Sequence, residues 1–180
     1  MEDKKSKIIR KEILTWMILI TFAVFMANFM RNFVIVNAYV PTGSMMDTIL
    51  ERSRIVVFRL SYLFSDPQRF DVIVFESPNT AGKLYVKRII GVPGDLLLIQ
   101  NGLIYVNGKR IYEDFVKYAP DGFHSGDFGP VYVPDYSFFV LGDNRNDSDD
   151  SRFWQDPFIQ QGAILGKVVF SYFPSIRAIR

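Results

Sequence analysis

The sequence contains no cysteine and a single histidine, His124. The first absence excludes disulfides, thiol catalysis and thiolate metal sites, and says nothing about redox compartment. The second leaves the usual base of a serine nucleophile one possible source: the loop at residues 122–126 would have to fold over the nucleophile. Internal repeats and low-complexity tracts are also missing. Surplus charge is scarce too. Of 21 basic and 19 acidic residues, five basic and three acidic ones lie in residues 1–12, which leaves 16 of each in the rest of the chain. The pI of about 8.8 therefore comes largely from the N-terminal tip, and a polyanion-binding surface is not expected.

What the chain does have is a long apolar run. Residues 13–30 are 18 positions without a charge, bounded by Lys11 and Glu12 before and Arg31 after. As a helix rising ~1.5 Å per residue this spans roughly 27 Å, close to the hydrocarbon thickness of a bilayer. A cleavable signal peptide is the alternative. Against it, the run exceeds an h-region of roughly 7–15 residues, and Val36-Asn37-Ala38 puts a branched residue where a small one is needed. The basic cluster before the span places residues 1–12 in the cytoplasm, residues 13–30 in the membrane and residues 31–180 outside, as one extracytoplasmic domain of a single-pass membrane protein.

Beyond the span the pattern becomes mainly β: short runs at 33–40, 55–60, 71–75, 84–90, 96–100, 103–106, 131–133, 137–141 and 168–173, separated by turn chemistry. Asn101-Gly102 and Asn107-Gly108 suit two-residue hairpin turns and predict a small meander over 96–111. Helical turns are expected only near 61–64 and Phe153. Residues 119–130, rich in Gly, Pro and Asp, read as a surface loop.

Three stretches carry candidate chemistry. The first is P-T-G-S-M-M-D-T-I at 41–49, centred on Ser44. Such a serine is commonly only a turn residue. Neither a G-x-S-x-G elbow nor an S-x-x-K pattern is present, since Asp47 stands three residues after Ser44. Met45 and Met46 fit either an apolar rim at the bilayer or ordinary core packing. The second stretch is K-L-Y-V-K-R-I-I-G-V-P-G-D at 83–95, where alternation sets Tyr85, Lys87 and Ile89 on one strand face. Lys87 either snorkels at a sheet edge or is buried; burial would lower its pKa and make it a proton acceptor near neutral pH without any histidine. The third is G-D-N-R-N-D-S-D-D-S-R-F-W at 142–154. It fits a solvated turn, or a calcium loop from Asp143, Asp147, Asp149 and Asp150, but EF-hand spacing is missing and no metal site is expected.

In this order, with the anchor and with R-F-D-V-I-V-F at 69–75, the stretches resemble the bacterial type I signal peptidases, membrane-bound proteases that remove signal peptides from exported proteins. The likeness covers nearly the whole length and is to the compact Gram-positive form, without a large inserted second domain. The resemblance implies a β-rich catalytic domain of curled antiparallel sheets. It also implies Ser44 as nucleophile, Lys87 as general base, Ser148 orienting the lysine amine, and Thr42 with the Ser44 backbone N–H stabilising the oxyanion. Arg88, Asp143, Asp150 and Arg152 fall at positions of supporting ion pairs. No cofactor is implied. The partners implied are signal-peptide-bearing preproteins, the lipid bilayer and nearby export machinery, with no nucleic acid. Two departures stand out: Asp47 replaces a proline of the family pattern, and Glu51-Arg52-Ser53 replaces a Gly-Asp turn. They motivate the competing reading, a catalytically impaired relative acting in substrate binding or surface-structure assembly.

Overall fold

The computed structural model describes residues 2–80, 82–116 and 127–179, with side chains from residue 9 onward. His124 and much of the expected loop at 119–130 lie outside the described residues. The chain divides into two units, Met1–Val36 and Asn37–Arg180.

The first unit is helix α1, Glu2–Phe29, followed by a π-helical turn, Met30–Val34. The stretch Ile9–Val34 is long and apolar enough to cross a membrane by length and composition. Trp16 and Phe25 are about two-thirds exposed, which for apolar groups of this size calls for a non-aqueous surrounding. Phe33 and Val34, expected to begin a strand, belong instead to the π-helical turn. The Ile35 N–H reaches back to the Met30 carbonyl, so the helix ends by widening its last turn before the β-branched pair Ile35 and Val36 goes extended.

The second unit is built on two antiparallel sheets. In chain order the strands are β1 Ile35–Val40, β2 Ser53–Phe58, β3 Val72–Glu76, β4 Leu84–Gly91, β5 Leu96–Gln100, β6 Leu103–Val106, β7 Lys109–Arg110, β8 Phe128–Tyr132, β9 Ser137–Leu141, β10 Ile159–Gln160, β11 Ile164–Phe173 and β12 Arg177–Ala178. The larger sheet runs β1-β2-β11-β3-β4-β9-β10 with β12 beside β11, and the smaller runs β7-β6-β5-β8. Asn101-Gly102 and Asn107-Gly108 both take positive φ at their two positions, the geometry of the two-residue turns that make β5, β6 and β7 a meander.

The apolar run of β9 and the Ile89–Ile90 end of β4 are buried on both faces. Ile90, Phe139 and Leu141 pack with Leu97, Ile99 and Val133 from the smaller-sheet side, whereas Ile89, Phe138 and Val140 pack with Ile73, Phe75 and Trp154 on the other. β9 covers β4 only from Arg88 to Gly91. The outer edge of the first half of β4, Leu84 to Lys87, therefore has no strand partner among the described residues.

Further expectations are corrected. Phe128, Gly129 and Pro130 form part of β8 rather than a loop: Gly129 takes φ of 90° where a Cβ would lie 2.7 Å from the Leu97 carbonyl, a bulge on an edge strand, which is where Gly-Pro can be accommodated. Residues near Phe153 form turns and not helix, because the Asp150 carboxylate accepts the Arg152 N–H at 3.4 Å and its guanidinium at 2.7 and 2.8 Å, competing with helical bonding. The expected turn near 61–64 is a short 3-10 helix, Arg59–Tyr62, and β11 begins at Ile164 rather than 168, carried through a bulge.

Candidate active site

Ser44 lies in a pair of tight turns after β1. The Met46 N–H donates to the Gly43 carbonyl at 3.0 Å and the Ile49 N–H to the Met45 carbonyl at 2.7 Å, while the Arg52 N–H returns to Val40 at 2.8 Å. Met45 and Ile49 are fully buried and anchor these turns in the core. Met45 therefore packs as core and is no rim residue, whereas Met46 is 38% exposed. Ser44 is nearly buried, and Thr42 is exposed.

Lys87 sits in β4 opposite Ile73 of β3 and is only 4% exposed. It is buried and does not snorkel. Burial from water lowers its pKa to about 8, against the upward pull of the Asp150, Asp149 and Asp143 carboxylates; the Arg152 charge adds to the lowering. Its amine is 5.9 Å from the centre of the Tyr85 ring. Ser44 and Lys87 line one cleft of about 630 Å³, with Thr42 and Gly43 on the serine side and Tyr85 and Val86 on the β4 side. The cleft runs along the half of β4 that lacks an outer partner.

The stretch at 142–154 closes the site from behind. The Asn144 backbone N–H donates to the Ser44 carbonyl at 3.0 Å, and its side-chain amide donates to the Gly43 carbonyl at 3.1 Å. A Cβ on Gly142 would stand 2.5 Å from the Ser44 carbonyl oxygen and 2.2 Å from the Ser148 hydroxyl, so this position admits glycine alone. Ser148 Oγ is thus beside the Ser44 backbone. Among the described residues it is also the one buried side-chain polar atom without a hydrogen-bond partner, an oxygen left open for a donor in the cleft.

Two buried ion pairs hold these pieces in register. Arg88, the residue after Lys87, meets Asp143 through two hydrogen bonds of 2.9 and 2.7 Å, donates to the Phe70 carbonyl at 2.8 Å, and has its guanidinium 3.9 Å from the Phe115 ring centre. Arg152 is paired with Asp150, whose other contact is the Gly142 N–H at 3.0 Å. The carboxylates of Asp143 and Asp150, weighed above as calcium ligands, are therefore engaged by guanidinium groups.

Several contributors escape sequence reasoning. Thr48 donates its hydroxyl to Asp143, and a buried pair joins Arg145 to Glu113. Asp149 accepts from the Trp154 indole at 2.9 Å and the Tyr85 hydroxyl at 3.4 Å. Arg145 and Asn144 stood inside the G-D-N-R stretch and could have been singled out there; Glu113 carries no sequence signal. Of the two departures, Asp47 offers its backbone carbonyl to Arg177 at 2.7 Å. In the other, Arg52 takes φ of 61° in the turn that leads into β2.

Comparison with known proteins places this architecture. Residues 13–173 match the family described as signal peptidase, peptidase S26. Signal peptidase I of Bacillus amyloliquefaciens is 38% identical over 181 residues, covering 97% of this chain and 96% of that protein. A probable signal peptidase I-2 of Synechocystis is 38% identical over 158 residues, 84% of this chain and 69% of that one. Among solved structures, the crystal structure of a signal peptidase I from Enterococcus faecalis superposes with a TM-score of 0.51 at 33% identity, over 57% of this chain and 97% of the other. The non-catalytic alternative is not favoured by these relatives.

Proposed function

The chain belongs to the signal peptidase family, peptidase S26, and we propose that it cuts its substrates with a dyad of Ser44 and Lys87. As a signal peptidase it is a serine hydrolase that removes signal peptides from preproteins. The observation that carries the dyad is the buried amine of Lys87, with a pKa near 8, in the same cleft as Ser44.

In this reading the neutral Lys87 amine takes the proton of Ser44 Oγ, and the oxygen attacks the scissile carbonyl. The Ser44 backbone N–H and the Thr42 hydroxyl stabilise the oxyanion, and the protonated amine then protonates the leaving nitrogen. Water activated by the same amine hydrolyses the acyl-enzyme. Ser148 Oγ, without a partner among the described residues, is the acceptor available to the Lys87 amine as it engages Ser44, and orients it there; Arg88, Asp143, Asp150 and Arg152 hold the supporting frame. The open edge of Leu84 to Lys87 receives the substrate as an added strand, with small side chains near the cut.

The apolar helix is a membrane anchor by family and composition. The finer arrangement belongs to the proposal: residues 1–12 cytoplasmic, 13–30 spanning once, and 31–180 forming the extracytoplasmic catalytic domain near the export machinery. The test is cleavage of a signal-peptide-bearing precursor by the detergent-solubilised protein, with Ser44→Ala and Lys87→Ala alongside. Cutting after a small-x-small site, abolished in both variants, is expected; full activity in either variant refutes the dyad.

A further inference from the structure

The two carbonyls that flank the Ser44 N–H and Cα are both held by Asn144. Its backbone N–H binds the Ser44 carbonyl at 3.0 Å, and its side-chain amide binds the Gly43 carbonyl at 3.1 Å. The Gly43 carbonyl also accepts the Met46 N–H at 3.0 Å. Because the Gly43–Ser44 peptide is planar and trans, its C=O and N–H point in opposite directions. Fixing the carbonyl on two donors therefore fixes the aim of the Ser44 N–H. Each donor also withdraws charge through the amide, which strengthens that N–H as a donor.

We infer that Asn144 is the positioning residue of the oxyanion site: its side-chain amide, acting through the Gly43 carbonyl, aims the Ser44 backbone N–H into the cleft. The inference rests on the proposal that this N–H stabilises the oxyanion. The pincer has a rigid mount. Arg145 Nε donates to the Gly142 carbonyl at 3.1 Å, the Asp147 N–H to the Asn144 carbonyl at 3.1 Å, and the Gly142 N–H to Asp150. Oxygen in place of nitrogen at the amide would face the Gly43 carbonyl with a second acceptor, so the donor at this position has a chemical requirement that packing alone does not impose.

Asn144→Ala removes the donor without adding charge, and Asn144→Asp keeps the shape while losing it. In both, kcat on a signal-peptide precursor should fall roughly tenfold or more, a fraction of what losing an oxyanion donor outright costs. KM should stay within a factor of about two, because the ground-state carbonyl scarcely uses the donor. A peptide boronic acid that forms a tetrahedral adduct on Ser44 should bind Asn144→Ala more weakly by a similar factor to the fall in kcat. The midpoint of the pH profile in Asn144→Ala should match the parent, since Lys87 is untouched. Unchanged kcat in either folded variant overturns the inference, as does a loss explained by a moved pH midpoint or by a matching rise in KM. If Asn144→Ala does not fold, Asn144→Asp carries the kcat test; if neither folds, Asn144 is a folding determinant and the inference falls. Activity surviving in Ser44→Ala or Lys87→Ala would instead overturn the dyad itself, a separate result.

Discussion

Arg88 and Asp143 form a two-bond ion pair with side chains 1% and 0% exposed. The pair ties the strand that carries Lys87 to the turn that carries Gly142 and Asn144. Its value lies in registration: both charges have left water, and each is tolerated only because the other is present. Asp143→Ala should destabilise the protein by about 3–5 kcal/mol, as expected when one partner of a buried pair is removed. Chemical denaturation at pH 7 measures this. A change below about 1 kcal/mol, the range of surface pairs, would mean the pair is solvated.

The buried Lys87 should lower stability near neutral pH. Its pKa is about 8 in the folded protein against an ordinary value of 10.5, so between those values the unfolded chain binds more protons and stability rises with pH. Below pH 8 the amine must be charged inside the protein. Lys87→Met should accordingly stabilise the fold by a few kcal/mol at pH 7 while abolishing activity, and this advantage should shrink toward pH 10.5. Unfolding of both proteins at pH 7 and pH 10 tests it, and equal stabilities at pH 7 would contradict the burial argument.

Ser148→Ala should separate stability from activity. The Ser148 hydroxyl is buried without a partner, so its removal deletes an unsatisfied group and leaves stability unchanged or slightly raised. Turnover should nevertheless fall by roughly tenfold or more as the amine loses its orienting acceptor, within the range of general-base effects. Loss of stability in proportion to loss of turnover would assign Ser148 a structural role.

Gly142→Ala should damage both. The added carbon would meet the Ser44 carbonyl at 2.5 Å and Ser148 Oγ at 2.2 Å, and relieving both contacts moves the nucleophile turn. We expect about 1–3 kcal/mol of destabilisation, as for overpacking, together with a fall in kcat. Full activity in this variant would mean that the turn and the nucleophile are not coupled.

Much of the β architecture was legible because it is local. Alternation and Asn-Gly turns marked β5, β6 and β7, and short apolar, β-rich runs marked β4 and β9 as strands. The failures were non-local. Gly129-Pro130 reads as a breaker until an edge position and a bulge make room for it, and Phe153 sits in a turn because of where the Asp150 carboxylate binds. The two-residue strand β10 owes its pairing to β9, more than twenty residues earlier in the chain. Within the site, Ser44 and Lys87 stood out by the stretches that hold them, while Ser148 was indicated only by the family resemblance. Glu113 was not, since its partner Arg145 is 32 residues away and nothing local distinguishes it from a surface acid.

The central claim, that a neutral buried lysine serves as base for Ser44, is tested most directly by the pH dependence of kcat/KM on a signal-peptide precursor between pH 6 and 10. With the Lys87 pKa at about 8, activity should climb about tenfold per pH unit well below that value and level off above it. A profile that is flat across this range, or one that rises with a midpoint near that of an ordinary histidine, would contradict the account.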